Sequence, residues 1–391
     1  MPDGKESSWP GWNRIATRVA KTKTDLLPAR DEVEVSLFGP GTGEALAVHL
    51  GGGDWMTIDS CVERTSGNHA LLGYFESIGV DVARDVRLVV GTHAHDDHLA
   101  GIGELFERAS GAQFVTSVAQ TAEEFLAEVE ADQDIKDELR IGVRDEYRRI
   151  MAEVRRRPYS RYQRSPILHA GERDRLFHRP EKDGVPAATV TALSPSDVAQ
   201  LRAKTFFAQG VSQVGKRKRL KATDPNEIAV AVLVEVGAVV MLFGADLTTG
   251  PAGCGWRRID DFASELPKSS LFKVPHHGSK NAHYEKTWTN LLAANPVALL
   301  APFLGGGSQV PSRSEKQAIL ARTDRAHIVA STTKRPQPKT VMEAAEAFID
   351  IAIAVYEPFG KLGHLRARRQ VDAEGWTVSA TKPAHALRVD S

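Results

Sequence analysis

The sequence predicts a layered α/β protein, and three features of the 391-residue chain indicate this class. Short apolar strands separated by glycine-rich turns alternate with helical segments along most of the chain. Hydrophobic residues make up 42% and charged residues 26%, as is usual for globular proteins. The length is sufficient for one large domain with insertions, or for two domains.

The composition sets few limits on the partners of the chain. Lysine plus arginine and aspartate plus glutamate both total 50, so the net charge indicates no class of partner. The two cysteines, Cys61 and Cys254, are too few for a disulfide framework and suit a reducing compartment. The sequence shows no secretory signal and no apolar run of roughly eighteen residues, the length of a membrane span. We therefore expect a cytoplasmic protein.

The secondary-structure signals begin after an N-terminal extension over residues 1–30. Glycine-rich turns separate three consecutive antiparallel strands, and a later apolar strand runs directly into a cluster of histidines. The predicted elements are strands at 33–38, 45–50 and 55–58, a helix at 68–78, a strand at 87–90, a helix at 99–109, strands at 188–193, 228–235, 238–243 and 271–274, a helix at 281–294, and a strand at 297–302.

These elements define a main domain over residues 31–335. A charged, helical segment at about 119–165 reads as an insertion in this domain. A C-terminal extension over 336–391 holds a helix near 342–353 and a hairpin of 365–370 with 376–380, which we expect to pack on the domain.

The chemistry of the chain is concentrated in residues 93–98, directly after the strand at 87–90. His93, His95, Asp97 and His98 carry imidazole and carboxylate groups, which are ligands that zinc prefers in proteins. Irregular backbone lets such closely spaced side chains converge, whereas a continued strand points alternate residues to opposite sides. We therefore expect His93 and His95 to bind one metal ion and Asp97 and His98 to bind a second, adjacent ion. The alternative is an exposed polar loop that binds nothing.

This motif resembles the His-x-His-x-Asp-His signature of the metallo-β-lactamase superfamily, and three further segments agree in order. Residues 58–61 resemble its Ile-Asp-Thr-Gly strand end, residues 243–246 its Gly-Asp segment, and residues 274–279 its closing His-Gly segment. The resemblance covers roughly residues 32–335. It implies a four-layer αβ/βα sandwich with one or two zinc ions at the edge between two β-sheets. Manganese also suits such a site, because nuclease sites rich in oxygen ligands favour harder ions.

The resemblance also implies roles for individual residues outside the motif. Asp246 would bridge the metals, although an aspartate at this place also fits a turn. His277 would be the ligand of the closing segment, and His276 would support it or face the substrate. His169 lies where the family has a third histidine for the first metal, and it equally fits an exposed turn. We expect Asp59 to organise the loop by hydrogen bonds.

One branch of the superfamily shows a closer similarity. Residues 273–279 resemble the Lys-Val-x-His-His-Gly-Ser segment of the nuclease-like domain in bacterial DNA-internalisation proteins, and residues 226–230 and 311–313 resemble two other segments there. This branch often lacks the third histidine. Basic groups suit phosphate contacts, and neighbouring tyrosines suit base stacking, although charge runs are also common on solvated surfaces. The groups are the cluster of Lys216, Arg217, Lys218 and Arg219, and an arginine run over 155–164 that includes Tyr159 and Tyr162.

The predicted function is a metal-dependent phosphodiesterase, and more specifically a nuclease. Metal ions would lower the pKa of a bound water and neutralise charge on the phosphate oxygens. Asp97 or Asp246 would orient the attacking oxygen, and His276 would protonate the leaving oxygen or bind the phosphate.

Three further residues are candidates for contacts with the substrate. Lys273 is either structural or meets a substrate anion. The backbone N–H groups of Ser279 and Lys280 would bind a phosphate if a helix begins at this point.

Two alternatives remain open. A small-molecule hydrolase acting on a lactone, thioester or phosphorylated metabolite would use the same metals in a closed pocket. A non-enzymatic metal-binding scaffold would bind another protein through the insertion or the C-terminal tail. The placement of residues 119–164 distinguishes a lid over the metals from an open basic channel.

Overall fold

The structure of the protein is a computed structural model. It describes residues 26–39, 43–63, 66–120, 138–158, 164–211, 225–303, 309–332 and 362–390. The predictions for residues 1–25, for the basic cluster at 216–219 and for the helix near 342–353 fall outside these ranges. Within them, no helix combines the length and apolar character that crossing a bilayer requires.

Sixteen strands and eight helices make up the regular structure of the described residues. The strands are β1 (Glu32–Gly39), β2 (Ala45–His49), β3 (Trp55–Ile58), β4 (Val86–Val90), β5 (Gln113–Ser117), β6 (Ile167–Ala170), β7 (Arg175–Arg179), β8 (Ala188–Ala192), β9 (Val232–Val236), β10 (Val239–Phe243), β11 (Ser269–Lys273), β12 (Leu292–Leu300), β13 (Ala326–Ile328), β14 (Gly363–Gln370), β15 (Thr377–Thr381) and β16 (His385–Ala386). The helices are α1 (Ala70–Ile78), α2 (Val82–Asp85), α3 (Asp96–Leu99), α4 (Ile102–Arg108), α5 (Glu138–Arg156), α6 (Asp197–Val211), α7 (Gly255–Asp260) and α8 (Arg313–Leu320).

The strands form two mixed sheets of eight strands each. The first has the order β15-β14-β1-β2-β3-β4-β5-β6, and the second has the order β16-β13-β12-β11-β10-β9-β8-β7. Strands β3 to β6 run parallel to one another, as do strands β10 to β13, and the remaining neighbours are antiparallel. Each sheet therefore presents the carboxyl ends of several parallel strands at one edge, where α/β proteins commonly bind ligands.

The main hydrophobic core lies between the two sheets. Alternate residues of a strand face opposite sides, and in β1 Val33, Val35 and Leu37 face this inner core. Helices α1, α4 and α5 cover the outer face of the first sheet, and α7 and α8 cover that of the second. These four layers confirm the αβ/βα sandwich that the sequence predicts.

The prediction of a helix at 281–294 is wrong. Short helical turns over Lys280–Ala282 and Thr287–Leu291 take its place, and β12 already begins at Leu292. The apolar residues of this segment bury themselves without a continuous helix, as Trp288 packs edge-on against the ring of Phe272 at 5.3 Å. An isolated apolar run does not distinguish these outcomes in the sequence.

The segments outside the predicted central strands contribute to the sandwich. Helix α5 lies between β5 and β6 in the chain and packs against α3 and α4. Strand β14 pairs with β1 along its whole length, and β15 pairs with β14, so the predicted C-terminal hairpin extends the first sheet. Strand β16 pairs with β13 in the second sheet.

Candidate metal centre

The residues of the histidine motif and its predicted partners follow parallel strands from both sheets. In the first sheet, Asp59 follows β3 and residues 93–98 follow β4. In the second sheet, Asp246 follows β10, and His277 follows β11. Because these strand ends meet at one edge of the sandwich, the chain brings together side chains that are far apart in sequence.

Five side chains of the predicted ligand set converge here in two groups. His93, His98 and Asp246 form one group, and Asp97, His98 and His277 form the other; within each, the donor atoms lie within 4.8 Å of one another. Oδ2 of Asp246 is 3.3 Å from Nε2 of His98 and 3.4 Å from Nε2 of His277. A zinc ligand atom lies about 2 Å from the ion, so two ligand atoms of one tetrahedral ion are roughly 3.3 Å apart. The separations around Oδ2 of Asp246 are close to this value.

His95 lies beside the first of these groups. Its Nδ1 is 3.1 Å from Nε2 of His93, and the two rings are 4.7 Å apart. Nδ1 of His93 contacts the hydroxyl of Thr92 at 3.0 Å. The facing nitrogens of His93 and His95 are thus placed as two imidazole ligands of one ion would be.

Asp59 holds the motif in place through hydrogen bonds. Its carboxylate accepts a bond of 2.8 Å from the backbone N–H of Thr92 and one of 2.9 Å from the Thr92 hydroxyl. It also lies 2.7 Å from Nδ1 of His98, which directs Nε2 of that ring toward Asp246. A carboxylate behind a ligand imidazole fixes the tautomer and orientation of the ring.

A backbone carbonyl orients His277 in the same way. Its Nδ1 lies 3.0 Å from the carbonyl oxygen of Ala301, so this nitrogen donates and Nε2 is left facing the carboxylates. Nε2 is 3.4 Å from Oδ2 of Asp97 as well as from Oδ2 of Asp246. The ring of Phe303 stacks on the imidazole at 5.4 Å.

Four residues of this edge have positive φ although none is glycine. The values are 58° for Asp59, 45° for Ala245, 46° for His276 and 55° for His277. Residues with a Cβ rarely adopt a positive φ. Backbone strain of this kind is concentrated at functional sites in folded proteins.

The electrostatics of the cluster are dominated by burial and by pairing of imidazoles with carboxylates. Burial alone would lower the pKa of His98, but the carboxylates of Asp246 and Asp97 outweigh it and raise that pKa well above its ordinary value. Burial would also lower the pKa of His277, but the carboxylate of Asp246 outweighs this effect and raises that pKa to about 10. Burial would raise the pKa of Asp246, but His277 and His98 hold it well below its usual range. Burial and the neighbouring imidazoles lower the pKa of His93.

The residues present fit a divalent metal ion. Nε2 of His98 and Oδ1 of Asp246 are buried and have no aligned hydrogen-bond partner, although unpaired buried polar atoms are rare. The donor set combines imidazole nitrogen and carboxylate oxygen, which suits zinc and also harder divalent ions. A bound cation would satisfy these atoms and replace the protons that the paired imidazoles hold.

His276 is the more accessible of the two adjacent histidines. Its Nδ1 is 2.8 Å from Oδ1 of Asn281, and its Nε2 is 3.2 Å from Nδ2 of Asn226 and 4.0 Å from Oδ2 of Asp246. The side chain is 21% exposed, whereas that of His277 is 4% exposed. Two amides therefore hold an accessible imidazole beside the ligand cluster.

Lys273 does not face a substrate-accessible surface. Its side chain is completely buried, and Nζ donates hydrogen bonds to the carboxylate of Glu44 and, at 3.2 Å, to the carbonyl of Ala245. Of the two roles that the sequence leaves open for Lys273, this buried ion pair agrees with the structural one and not with contact to a substrate anion. Glu44 was not predicted, since nothing around it in the sequence differs from an ordinary turn before a strand.

Of the two readings of His169, the exposed one agrees with the structure, whereas the phosphate role expected of Ser279 and Lys280 does not. His169 is exposed on β6, opposite Thr116, and belongs to no converging group of ligands in the described ranges. Ser279 and Lys280 were expected to offer backbone N–H groups to a phosphate. These groups instead donate to the carbonyl of His276 at 2.8 Å and to the carboxylate of Glu315 at 2.7 Å.

Two arginines of the run over 155–164, Arg156 and Arg157, make contacts that hold helix α5 in place. Arg157 donates to the carbonyl oxygens of Ala112 at 2.6 Å and of Ala109 at 3.2 Å, and both it and Arg156 pair with Glu153. Arg157 therefore serves the packing of α5 and is not free to contact nucleic acid. Tyr159 and Tyr162 lie outside the described residues.

No protein-family model matches the chain, and no curated protein sequence matches it. Among solved structures, the metallo-β-lactamase fold protein YhfI from Bacillus subtilis is 14% identical, with a TM-score of 0.31, and the match covers 62% of this chain and 70% of YhfI. Zinc-bound PqqB from Methylobacterium extorquens is 14% identical, with a TM-score of 0.28, and the match covers 59% of each chain. The short form of human tRNase Z is 10% identical, with a TM-score of 0.29, and the match covers 61% of this chain and 76% of that one. At such low values the strand order, and not these scores, establishes the fold.

Proposed function

We propose that the protein is a metal-dependent hydrolase, and specifically a phosphodiesterase that acts on nucleic acid. The observation that carries the proposal is the position of Asp246, whose Oδ2 lies 3.3 Å from Nε2 of His98 and 3.4 Å from Nε2 of His277. It therefore adjoins both the ligand group with His93 and the one with Asp97. Two adjacent divalent ions stabilise both the attacking and the leaving oxygen of a displacement at phosphorus.

The residues around the ligands supply complementary roles. Metal ions bound here would lower the pKa of a water and neutralise charge on phosphate oxygens. Asp97 or Asp246 would orient the attacking water by accepting a hydrogen bond from it. His276 lies at the accessible side of the cluster between Asn226 and Asn281. Once its imidazole is protonated and Nε2–H turns from Asn226 to the substrate, it would protonate the leaving oxygen or bind the phosphate.

The connectivity of the chain supports a polyanionic substrate. Only six residues separate Arg219, the last residue of the basic cluster at 216–219, from Asn226, which contacts His276. A fully extended chain of this length spans at most about 25 Å, which is an upper limit on the distance between Arg219 and Asn226. Lysine and arginine within this reach suit the phosphates that flank a scissile bond.

The described part of the predicted insertion is compatible with an open site. Tyr147 and Ile150 of α5 join the outer cluster of the first sheet, and Glu146 accepts hydrogen bonds from the N–H groups of Gly101 at 2.9 Å and Gly103 at 2.7 Å. Helix α5 therefore supports residues 93–103 from the outer side of the first sheet.

The proposal is tested by hydrolysis of bis(p-nitrophenyl) phosphate and of labelled single- and double-stranded DNA and RNA. Each substrate is incubated with zinc or manganese, beside the variant Asp97→Ala, His98→Ala. We expect metal-dependent cleavage by the wild type and none by the variant. A folded, metal-loaded wild type that cleaves none of them contradicts the phosphodiesterase proposal and favours a small-molecule hydrolase, which panels of lactones, thioesters and phosphorylated metabolites then test.

A further inference from the structure

A buried ion pair connects the two sheets directly beside the ligand cluster. Glu44 lies immediately before β2 in the first sheet, and Lys273 is the last residue of β11 in the second, 229 positions later. Both side chains are completely buried. Removing two opposite charges from water costs several kcal/mol per ion, and well-packed apolar residues are often at least as stabilising. Stability alone therefore does not account for the pair.

Glu44 contacts the ligand-bearing segments of both sheets. Its backbone N–H donates a hydrogen bond of 3.1 Å to the carbonyl of Asp97. Its carboxylate lies behind two ligand rings, with Oε1 3.9 Å from Nδ1 of His98 and Oε2 3.8 Å from Nδ1 of His277. Glu44 therefore borders both rings on the side opposite to their Nε2 atoms.

Lys273 holds the segment that presents the remaining ligand. Its Nζ donates to the carbonyl of Ala245, the strained residue that precedes Asp246, and lies 3.9 Å from Oδ1 of Asp246. The backbone N–H of Gly244 donates in turn to the carbonyl of Lys273 at 3.3 Å. The ammonium group thus fixes the turn from which the Asp246 carboxylate emerges.

The same contacts exclude a metal ion between Glu44, Asp59 and His98, whose donor atoms also lie within 4.8 Å of one another. The Lys273 ammonium already occupies the cationic position against the Glu44 carboxylate. Nδ1 of His98 is engaged by Asp59 at 2.7 Å. The charge of this group is compensated by the chain itself.

We propose that Glu44 and Lys273 are positioning residues that set the spacing between the metal ligands of the two sheets. They act through His98, His277 and Asp246 and do not touch substrate. The proposal rests on the proposed metal-binding function of the site. It predicts that the pair determines metal affinity and coordination geometry more strongly than it determines folding.

The test uses the variant Glu44→Gln, Lys273→Met, which removes both charges and leaves the net charge of the protein unchanged. Zinc affinity is measured by competition with a chelator, and the visible spectrum of the cobalt-substituted protein reports coordination geometry. We expect zinc affinity to fall about 10- to 100-fold and the cobalt bands to shift. The matched control is Asp54→Asn, Arg179→Met, an ion pair that also joins the two sheets but lies away from the ligands. The control should retain wild-type zinc affinity and cobalt bands.

The conservative variant Glu44→Asp covers the case in which the double variant fails to fold. It keeps the charge but shortens the side chain, so zinc affinity should fall in the same direction while the protein remains folded. A folded double variant, or a folded Glu44→Asp variant, with wild-type zinc affinity and cobalt spectrum overturns the positioning role alone. A wild-type protein that binds neither ion overturns this proposal together with the proposed function.

Discussion

Oδ2 of Asp59 lies 2.7 Å from Nδ1 of His98, on the opposite side of the ring from Asp246. The side chains of Asp59 and His98 are both completely buried, and the two residues are 39 positions apart in the chain. The contact leaves Nε2 of His98 as the nitrogen that faces the ligand cluster.

Replacing Asp59 with asparagine should weaken metal binding. An amide retains the size of the side chain but loses the charge that orients His98, and changes behind a ligand imidazole typically reduce metal affinity about 10- to 100-fold. Chelator competition measures the affinity. Asp372→Asn, at an exposed turn between β14 and β15, is the matched control and should bind as the wild type does. An unaltered affinity in folded Asp59→Asn contradicts the assigned role.

Glu146 should stabilise the start of α4. Its carboxylate accepts two backbone hydrogen bonds, from Gly101 and Gly103, and bonds to a charged group contribute about 1.5–3 kcal/mol each. Glu146 is only partly buried, so water replaces part of these bonds, and Glu146→Ala should lower the free energy of unfolding by about 2 kcal/mol in urea denaturation. Glu76→Ala, at an exposed position of α1, should change it by no more than about 0.5 kcal/mol. Equal effects of the two substitutions would show that α4 does not depend on this contact.

Met241 should be important for packing between the sheets. It is fully buried in the inner core, so truncation to alanine removes apolar contacts and leaves a cavity. We expect Met241→Ala to cost about 2–5 kcal/mol of unfolding free energy. Leu201, which is 67% exposed on α6, provides the comparison, and Leu201→Ala should be close to neutral. A small loss at Met241 would be inconsistent with a tightly packed interface between the sheets.

The free energy of unfolding should decrease in mild acid because two histidines are buried in the neutral form. Burial lowers the pKa of His49 to about 4 and that of His364 to about 3. Between their ordinary value of about 6.5 and these values, the unfolded chain binds more protons, so stability falls as the pH falls. Each histidine contributes up to about 1.4 kcal/mol per pH unit in that window.

Variants of these histidines test this sign and size. His49→Gln and His364→Phe remove the titrating groups, so denaturation curves between pH 6.5 and 4.5 should depend less on pH for each variant than for the wild type. A wild-type stability that rises as the pH falls through this range would contradict the buried neutral state of both rings.

The central strands could be predicted from the sequence because their apolar patterns and turn residues are local. The strand predicted at 55–58 is observed as β3, and that predicted at 87–90 is observed as β4 with one additional residue. Strand β7 was missed because Arg175–Arg179 begins and ends with arginine and its apolar residues are too few to form a pattern. Its Arg179 meets its protein partners only in the folded chain, where the two Nη atoms donate to the carbonyls of Leu50 and Gly51 and to Asp54 in the other sheet.

In the candidate site, too, local patterns could be predicted from the sequence, whereas contacts between distant segments could not. His93, His95, Asp97 and His98 could be selected as ligands because they are dense within six residues. Glu44 could not be selected, because its partner Lys273 is 229 positions away and only the meeting of the two sheets brings them together. Asn226 was read as part of a family segment, but its contact with His276 depends on the end of β11 and was not predicted.

The most direct test of a metal-binding site shared by the two sheets is anomalous diffraction at the zinc edge from crystals of the protein grown with zinc. We expect an anomalous peak at bonding distance, about 2.0–2.2 Å, from Nε2 of His277 and from the carboxylates of Asp97 and Asp246. A second peak beside His93 and His95 would establish a two-ion centre. A well-ordered crystal with no peak at these residues, or with zinc bound only elsewhere on the surface, would show that the two sheets do not share a metal-binding site.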